Sequence, residues 1–304
     1  MQYKKQLWPV ALIITGIISS IPTVAQNPLP ATDIYLVQLS KDGESFKVGT
    51  PENITNRGGY DNQPSFLSDS ENLIYTSIRE DNQADIYAYN LIEHSTLRIV
   101  YTRPESEYSP TLMPDGGGIS VVRVERDSTQ RLWRFPFIES DPVLLMAKVK
   151  NIGYHAWVDS QTVALFVLGN PPTLQLANLQ QDSSKIITSG IGRCLRLKPN
   201  TKSVTFIQKT TPDQWFVKLY DTDSEEIDSV VETVAGSEDY EWYPDGSTLF
   251  MASGSKLFSW QPDADASWHE IADFSAAGLA EISRLAISSD GNTLALVAGR
   301  KSAN

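Results

Sequence analysis

The sequence predicts an all-β protein, a six-bladed β-propeller of four-stranded antiparallel blades closed by pairing N- and C-terminal strands. Three observations carry this: a strand-turn-strand segment recurs six times, its period is that of a propeller blade, and the chain ends hold complementary fractions of a blade. The recurring segments are Pro64 to Tyr75, Pro110 to Val121, Tyr240 to Met251 and Leu285 to Leu296, with weaker copies from Leu195 to Phe206 and, one residue shorter, from His155 to Leu165. Their turn residues, Asp69, Asp115, Asp159, Asn200, Asp245 and Asp290, fall about 41 to 46 residues apart.

Each copy reads as strand, tight turn, strand. Asp or Asn suits the turn because its side chain bonds the backbone two residues on, and a following Gly accepts positive φ. The pairs Leu73/Tyr75, Ile119/Val121 and Leu294/Leu296 then put alternate side chains on one face of the next strand. Third strands follow at Asp85 to Tyr89, Arg131 to Phe135, Thr173 to Leu176, Gln214 to Val217 and Lys256 to Trp260, and a sixth at Asp33 to Val37. The segment from Asp33 to Ile54 has a third and fourth strand without a first pair, whereas Arg284 to Val297 has only a first pair. Joined, they make a sixth blade and remove two open sheet edges. The expected blades are 58–103, 104–148, 149–190, 191–234 and 235–276, plus a composite of 278–300 with 31–57.

The first 25 residues read as a secretory signal. Lys4 and Lys5 precede an apolar run from Leu7 to Ile21, and the small residues Thr23 and Ala25 suit cleavage before Gln26. The expected domains are therefore 1–25, signal peptide, and 26–304, one propeller without a transmembrane segment after cleavage. The expected location is periplasmic or secreted. A formal net charge of -12 opposes phosphate neutralisation, so nucleic acid is not an expected partner. Cys194 is the single cysteine, which excludes an internal disulfide, and is read as a buried small side chain.

Pro64, Asp69, Tyr75-Thr76-Ser77, Arg79 and Asp85-Ile86-Tyr87, echoed at Pro244-Asp245-Gly246 and Ser289-Asp290-Gly291, resemble the WD40-like (PD40) repeat of the TolB propeller family. The resemblance covers nearly the whole chain after residue 25, with 58–103 the best match. It departs from the family's namesake in lacking an α/β domain ahead of the propeller. The resemblance implies a periplasmic protein whose propeller mouth binds an envelope protein such as a peptidoglycan-associated lipoprotein, and a monomer is expected.

Residues entering each first strand are the candidates for that mouth: Asn62 and Gln63, Tyr108, Tyr154 and His155, Arg193, Glu238 and Asp239, and Arg284. Tyr and Arg suit protein recognition, and Arg193 opposite Glu238 and Asp239 would steer a charged peptide. A double change, Arg193→Ala with Glu238→Ala, is expected to weaken partner capture without unfolding the ring. No catalytic constellation is present. His94, His155 and His269 lie in different blades, no Gly-x-Ser-x-Gly elbow occurs, and Gly116-Gly117-Gly118 reads as a turn. The competing class is a carbohydrate- or lactone-acting or glycan-binding propeller using axial carboxylates. Asp61, Glu107, Glu238, Asp239 and Glu281 are its candidates for Ca²⁺, although no cofactor is the expectation. Trp133, Trp157, Trp215 and Trp242 read as blade core, and Asp221 to Glu226 as a solvated hairpin.

Overall fold

A computed structural model describes residues 30–262 and 264–300. The leader read over residues 1–25 lies outside the described residues. Strands β1 (Asp33–Asp42), β2 (Ser45–Val48) and β3 (Glu52–Asn53) come first, and the first whole blade follows as β4 (Tyr60–Phe66), β5 (Asn72–Ile78), β6 (Ala84–Asn90) and β7 (Ser95–Val100). Blade 2 is β8 (Ser106–Leu112), β9 (Gly118–Val124), β10 (Gln130–Pro136) and β11 (Val143–Leu144); blade 3 is β12 (Ile152–Trp157), β13 (Thr162–Val167), β14 (Thr173–Asn178) and β15 (Ser183–Ser189). Blade 4 comprises β16 (Ile191–Leu197), β17 (Val204–Lys209), β18 (Trp215–Tyr220) and β19 (Ile227–Glu232), and blade 5 comprises β20 (Tyr240–Trp242), β21 (Leu249–Ser253), β22 (Lys256–Trp260) and β23 (His269–Asp273). A 3₁₀ turn, Ser275–Ala277, leads to β24 (Leu279–Ile287) and β25 (Thr293–Arg300).

Blade 6 is the composite anticipated from the chain ends. Its order is β24, β25, β1, β2, with Asp33 opposite Ala298 and Val37 opposite Leu294. Its outer strand is split: β2 pairs the far half of β1 and β3 pairs Tyr35 and Leu36. The side-chain alternation of a strand explains how this blade joins both neighbours. Tyr35, Val37, Leu39, Leu294 and Leu296 pack on Phe250 and Leu257 of blade 5, while Ile34, Ala295 and Val297 pack on Leu73 and Tyr75 of blade 1.

The repeated turns have the expected chemistry. Asp69 accepts from the amides of Glu71 and Asn72 at 2.9 and 3.0 Å, and Asp159 accepts from Gln161 and Thr162 at 2.8 Å each. Asn200 departs from this pattern: it adopts φ 62° itself, and the Thr201 hydroxyl accepts the Ser203 amide instead. Trp157 and Trp242 are buried, and each ties its blade to the preceding one by donating to Ser120 and Thr205 respectively. Trp133 and Trp215 are half-buried at core margins. Residues 221–226 form the turn between β18 and β19, most of it exposed. Among the described residues no helix is long and apolar enough to cross a membrane.

Candidate functional site

The first strand of each blade lies innermost, so β4, β8, β12, β16, β20 and β24 surround the axis. Five of them break register with their neighbour, between Asn62 and Ser65, Tyr108 and Thr111, Ile152 and Tyr154, Ile191 and Leu195, and Ala280 and Arg284. A bulge re-aims side chains and frees backbone amides from the ladder. Those amides are taken by the next blade's side chains or the previous one's. Gln63 Oε1 accepts from the Ser109 amide at 2.8 Å and Glu238 Oε1 from Arg193 at 2.9 Å; just past the blade 6 bulge, Asp239 Oδ1 likewise accepts from the Leu285 amide at 3.1 Å. Gln63 and Ser109 adopt φ 57° and 52° there, and each precedes a proline.

Most predicted mouth residues are therefore in the inner strands or, for Glu238 and Asp239, immediately before one, rather than in loops. Arg284 draws several of them together. Its Nε donates to Asn62 Oδ1 at 3.0 Å, Nη1 to Asp239 Oδ2 at 3.1 Å and Nη2 to the Tyr154 hydroxyl at 2.8 Å. Blades 6, 1, 5 and 3 are thus joined across the axis by one guanidinium. Asp239 and the Tyr154 and Tyr60 hydroxyls hold Arg284 in its charged form despite burial.

Arg193 reaches toward Glu238, with Nη1 3.7 Å from Oε2, and donates from Nη2 to the Ser283 carbonyl at 3.1 Å. Burial raises the Glu238 carboxyl, but the Arg193 amide, Lys209 and the Arg193 side chain outweigh it and the net shift is downward. Arg196 and Glu241, not anticipated as site residues, pair at 2.7 Å, and Arg196 also lies 3.8 Å from Asp239. Aligned by turn, they share a column with Ser65, Thr111, Ala156 and Ala286. Two opposite charges among four small residues were the signal that could have marked them.

Two predicted residues are turned mainly into the blades, although His155 still lines an axial cavity. Counted back from the turn hydrogen bonds, Leu67 to Asn72 and Val158 to Thr162, His155 aligns with Pro64 rather than Gln63, because blade 3 has the shorter turn. His155 is consequently buried, bonded through Nε2 to Ser120 at 2.7 Å, and burial pushes its pKa down to about 3. Tyr108 packs against the core cluster of blades 2 and 3.

Arg284 divides the axial space. On one side a cavity of about 330 Å³ runs from Tyr154 and Arg193 along the inner strands toward Leu112, Leu197 and Ile287. On the other, one of about 290 Å³ lies between blades 5 and 6, walled by Gly236 to Asp239 and Glu281 to Leu285. Both share Arg193 and Arg284.

The candidate carboxylates for Ca²⁺ do not converge. Asp61 pairs with Arg57, Glu107 with Thr102 and Arg123, Glu238 with Lys209, and Asp239 with Arg284; Glu281 is exposed at the β24 bulge. Among the described residues no three of His, Cys, Asp and Glu are placed to hold a metal ion. Cys194 is buried against the Tyr240 carbonyl, and burial pushes its thiol up to about 12.

No family model matches the chain, and no curated protein matches its sequence. Solved structures do. A protein assigned as TolB from Agrobacterium tumefaciens superposes with a TM-score of 0.69 at 13% identity, covering 88% of this chain and 98% of that one. TolB from Acinetobacter baumannii gives 0.59 at 13% identity over 89% of this chain and 64% of its own. An oligogalacturonate lyase in complex with manganese gives 0.53 at 14% identity, over 87% and 78%. The ring and its axis define a closed six-bladed β-propeller. Within that class, the fold is that of the TolB-like propellers.

Proposed function

We propose that this is an exported, non-catalytic binding propeller of the periplasm or extracellular space, which captures an envelope protein at its axial funnel. The observation that carries the reading is the pre-ordered axis. Arg284, Asn62, Asp239 and Tyr154 hold one another across four blades, so the surface beside them needs little ordering on binding. The groups that would serve a catalyst are spent on structure: His155 is buried against Ser120 and Cys194 against Tyr240. A monomer with a lipoprotein-like partner fits this reading, and the TolB neighbours support it.

A second reading is favoured by one finding, the likeness to an oligogalacturonate lyase. A polysaccharide-acting or glycan-binding propeller would use the same axis.

The test is affinity capture by residues 26–304 from an envelope extract of the source organism after mild cross-linking. The control variant is Arg193→Ala with Glu238→Gln, since glutamine retains the acceptor for the Arg193 amide that alanine would remove. One dominant envelope protein, lost with the variant, supports the binding reading. No captured protein, with a thermal shift on adding Ca²⁺, Mn²⁺ or cell-wall glycans, transfers support to the second.

A further inference from the structure

We infer that Arg193 is the receptor for a carboxylate carried by an acidic peptide segment of the binding partner. This rests on the binding reading above and names the chemistry that the partner presents.

The inference starts from donors left over. The Glu238 carboxylate is already held by the Arg193 amide at 2.9 Å and by Lys209 Nζ at 3.0 Å. The Arg193 guanidinium stays 3.7 Å from it, outside hydrogen-bond range. Nη2 donates to the Ser283 carbonyl, while the buried Nε has no hydrogen-bond partner among the described residues. Nη1, which has no acceptor within hydrogen-bond range among the described residues, is the donor left for an acceptor arriving from the funnel, since Nε itself is enclosed. By contrast, the donors of Arg284 are matched by Asn62, Asp239 and Tyr154, and Arg196 is matched by Glu241 and two carbonyls.

Charge at the axis is close to balance: Arg193, Arg196, Lys209 and Arg284 face Glu238, Asp239, Glu241 and Glu281, so the axis lacks the excess of negative charge that the chain as a whole carries at -12. A planar fork with unspent N–H groups is suited to a carboxylate. Arg193 is 31% exposed and lines both axial cavities, so a peptide side chain can reach it from the funnel. Tyr154 lines the larger cavity, and its hydroxyl accepts from Arg284 and so keeps a proton to donate.

The test is fluorescence anisotropy with a labelled hexaglutamate peptide, using hexaglutamine, hexalysine and trigalacturonate as comparators. Hexaglutamate is expected to bind, about ten-fold more weakly to Arg193→Ala and with intermediate affinity to Arg193→Lys, which keeps the charge and loses the fork. Hexaglutamine should not bind, and hexalysine binding, driven by overall charge, should ignore the substitution. Absence of hexaglutamate binding, or equal binding to wild type and a folded Arg193→Ala, overturns the inference. Arg193-dependent binding of trigalacturonate in place of the peptide overturns it as well. Should the variants not fold, the wild-type Arg193 Nε–H resonance, assigned among the arginines, is followed instead; it shifts on adding hexaglutamate if the inference holds and stays fixed if it does not. Envelope capture that remains sensitive to the double variant while hexaglutamate fails to bind leaves the binding reading standing without this inference.

Discussion

Arg284 and Tyr154, on blades facing each other across the ring, meet at the axis with the guanidinium Nη2 2.8 Å from the phenol oxygen. The same guanidinium holds Asp239, whose side chain is 6% exposed. The contact therefore ties the closing blade to the one opposite.

Replacing Arg284 by methionine should destabilise the ring by about 2–4 kcal/mol, because Asp239 would be left buried with only the distant Arg196 as counter-charge. Tyr154→Phe, which removes one acceptor and keeps the packing, should cost about 1 kcal/mol. Urea unfolding curves of the two variants check the order; equal losses would show that the Tyr154 bond, not the Asp239 pair, dominates.

Stability against pH should carry two opposed contributions. Burial raises the Glu107 carboxyl to about 7, against the pull of Thr102 and Arg123. The native state then holds a proton that the unfolded chain releases above about 4.5, so this group weakens the fold as pH rises from about 4.5 to 7. His155 works the other way. It is pushed down to about 3, so the unfolded chain binds a proton below 6.5 that the native state refuses, and stability falls as pH drops from 6.5 toward 3. Glu107→Gln should remove the first dependence and be relatively more stable than wild type at pH 8 than at pH 5. His155→Asn should remove the second. Thermal melts of all three proteins between pH 4.5 and 8 make the comparison.

Two glycines should respond differently to alanine. A Cβ on Gly118 would lie 2.4 Å from the Phe135 carbonyl oxygen, a backbone atom that cannot swing aside. Gly118→Ala should cost about 2–3 kcal/mol, in the range of core overpacking. Gly43, at φ 63° in the β1–β2 turn with open space around its Cβ position, should lose only about 1 kcal/mol from the left-handed backbone. Chemical denaturation of both variants tests the distinction.

The fold was legible because turn chemistry and strand alternation are local signals, and both repeat. Asp69 and Asp159 do in space what their sequence neighbourhoods suggest. The composite blade was legible by subtraction, from a third strand at Asp33 lacking a first pair. The axis was harder. A bulge in an inner strand arises from packing among six blades and leaves only a weak local trace, such as the prolines after Gln63 and Ser109. One residue fewer in the blade 3 turn was enough to misplace His155 by one position, which in a strand reverses the face. Arg196 and Glu241 went unnoticed because the other copies carry Ser, Thr or Ala at the same column.

The pairing of Asp33 with Ala298 and Val37 with Leu294 has a consequence for how the molecule is made. Strand β1 is synthesised before the five whole blades, and its partner β25 after them. Until that partner arrives, Ile34, Val37 and Leu39, nearly wholly buried in the finished ring, stay uncovered. The blades between can each form from contacts close in the chain, but the final closure must wait until all of them have been made and meet the entropy of a very long loop. Folding should therefore finish in a late, slow step with a sticky, incomplete ring before it, and that interval is where proteolysis or a holding chaperone would act.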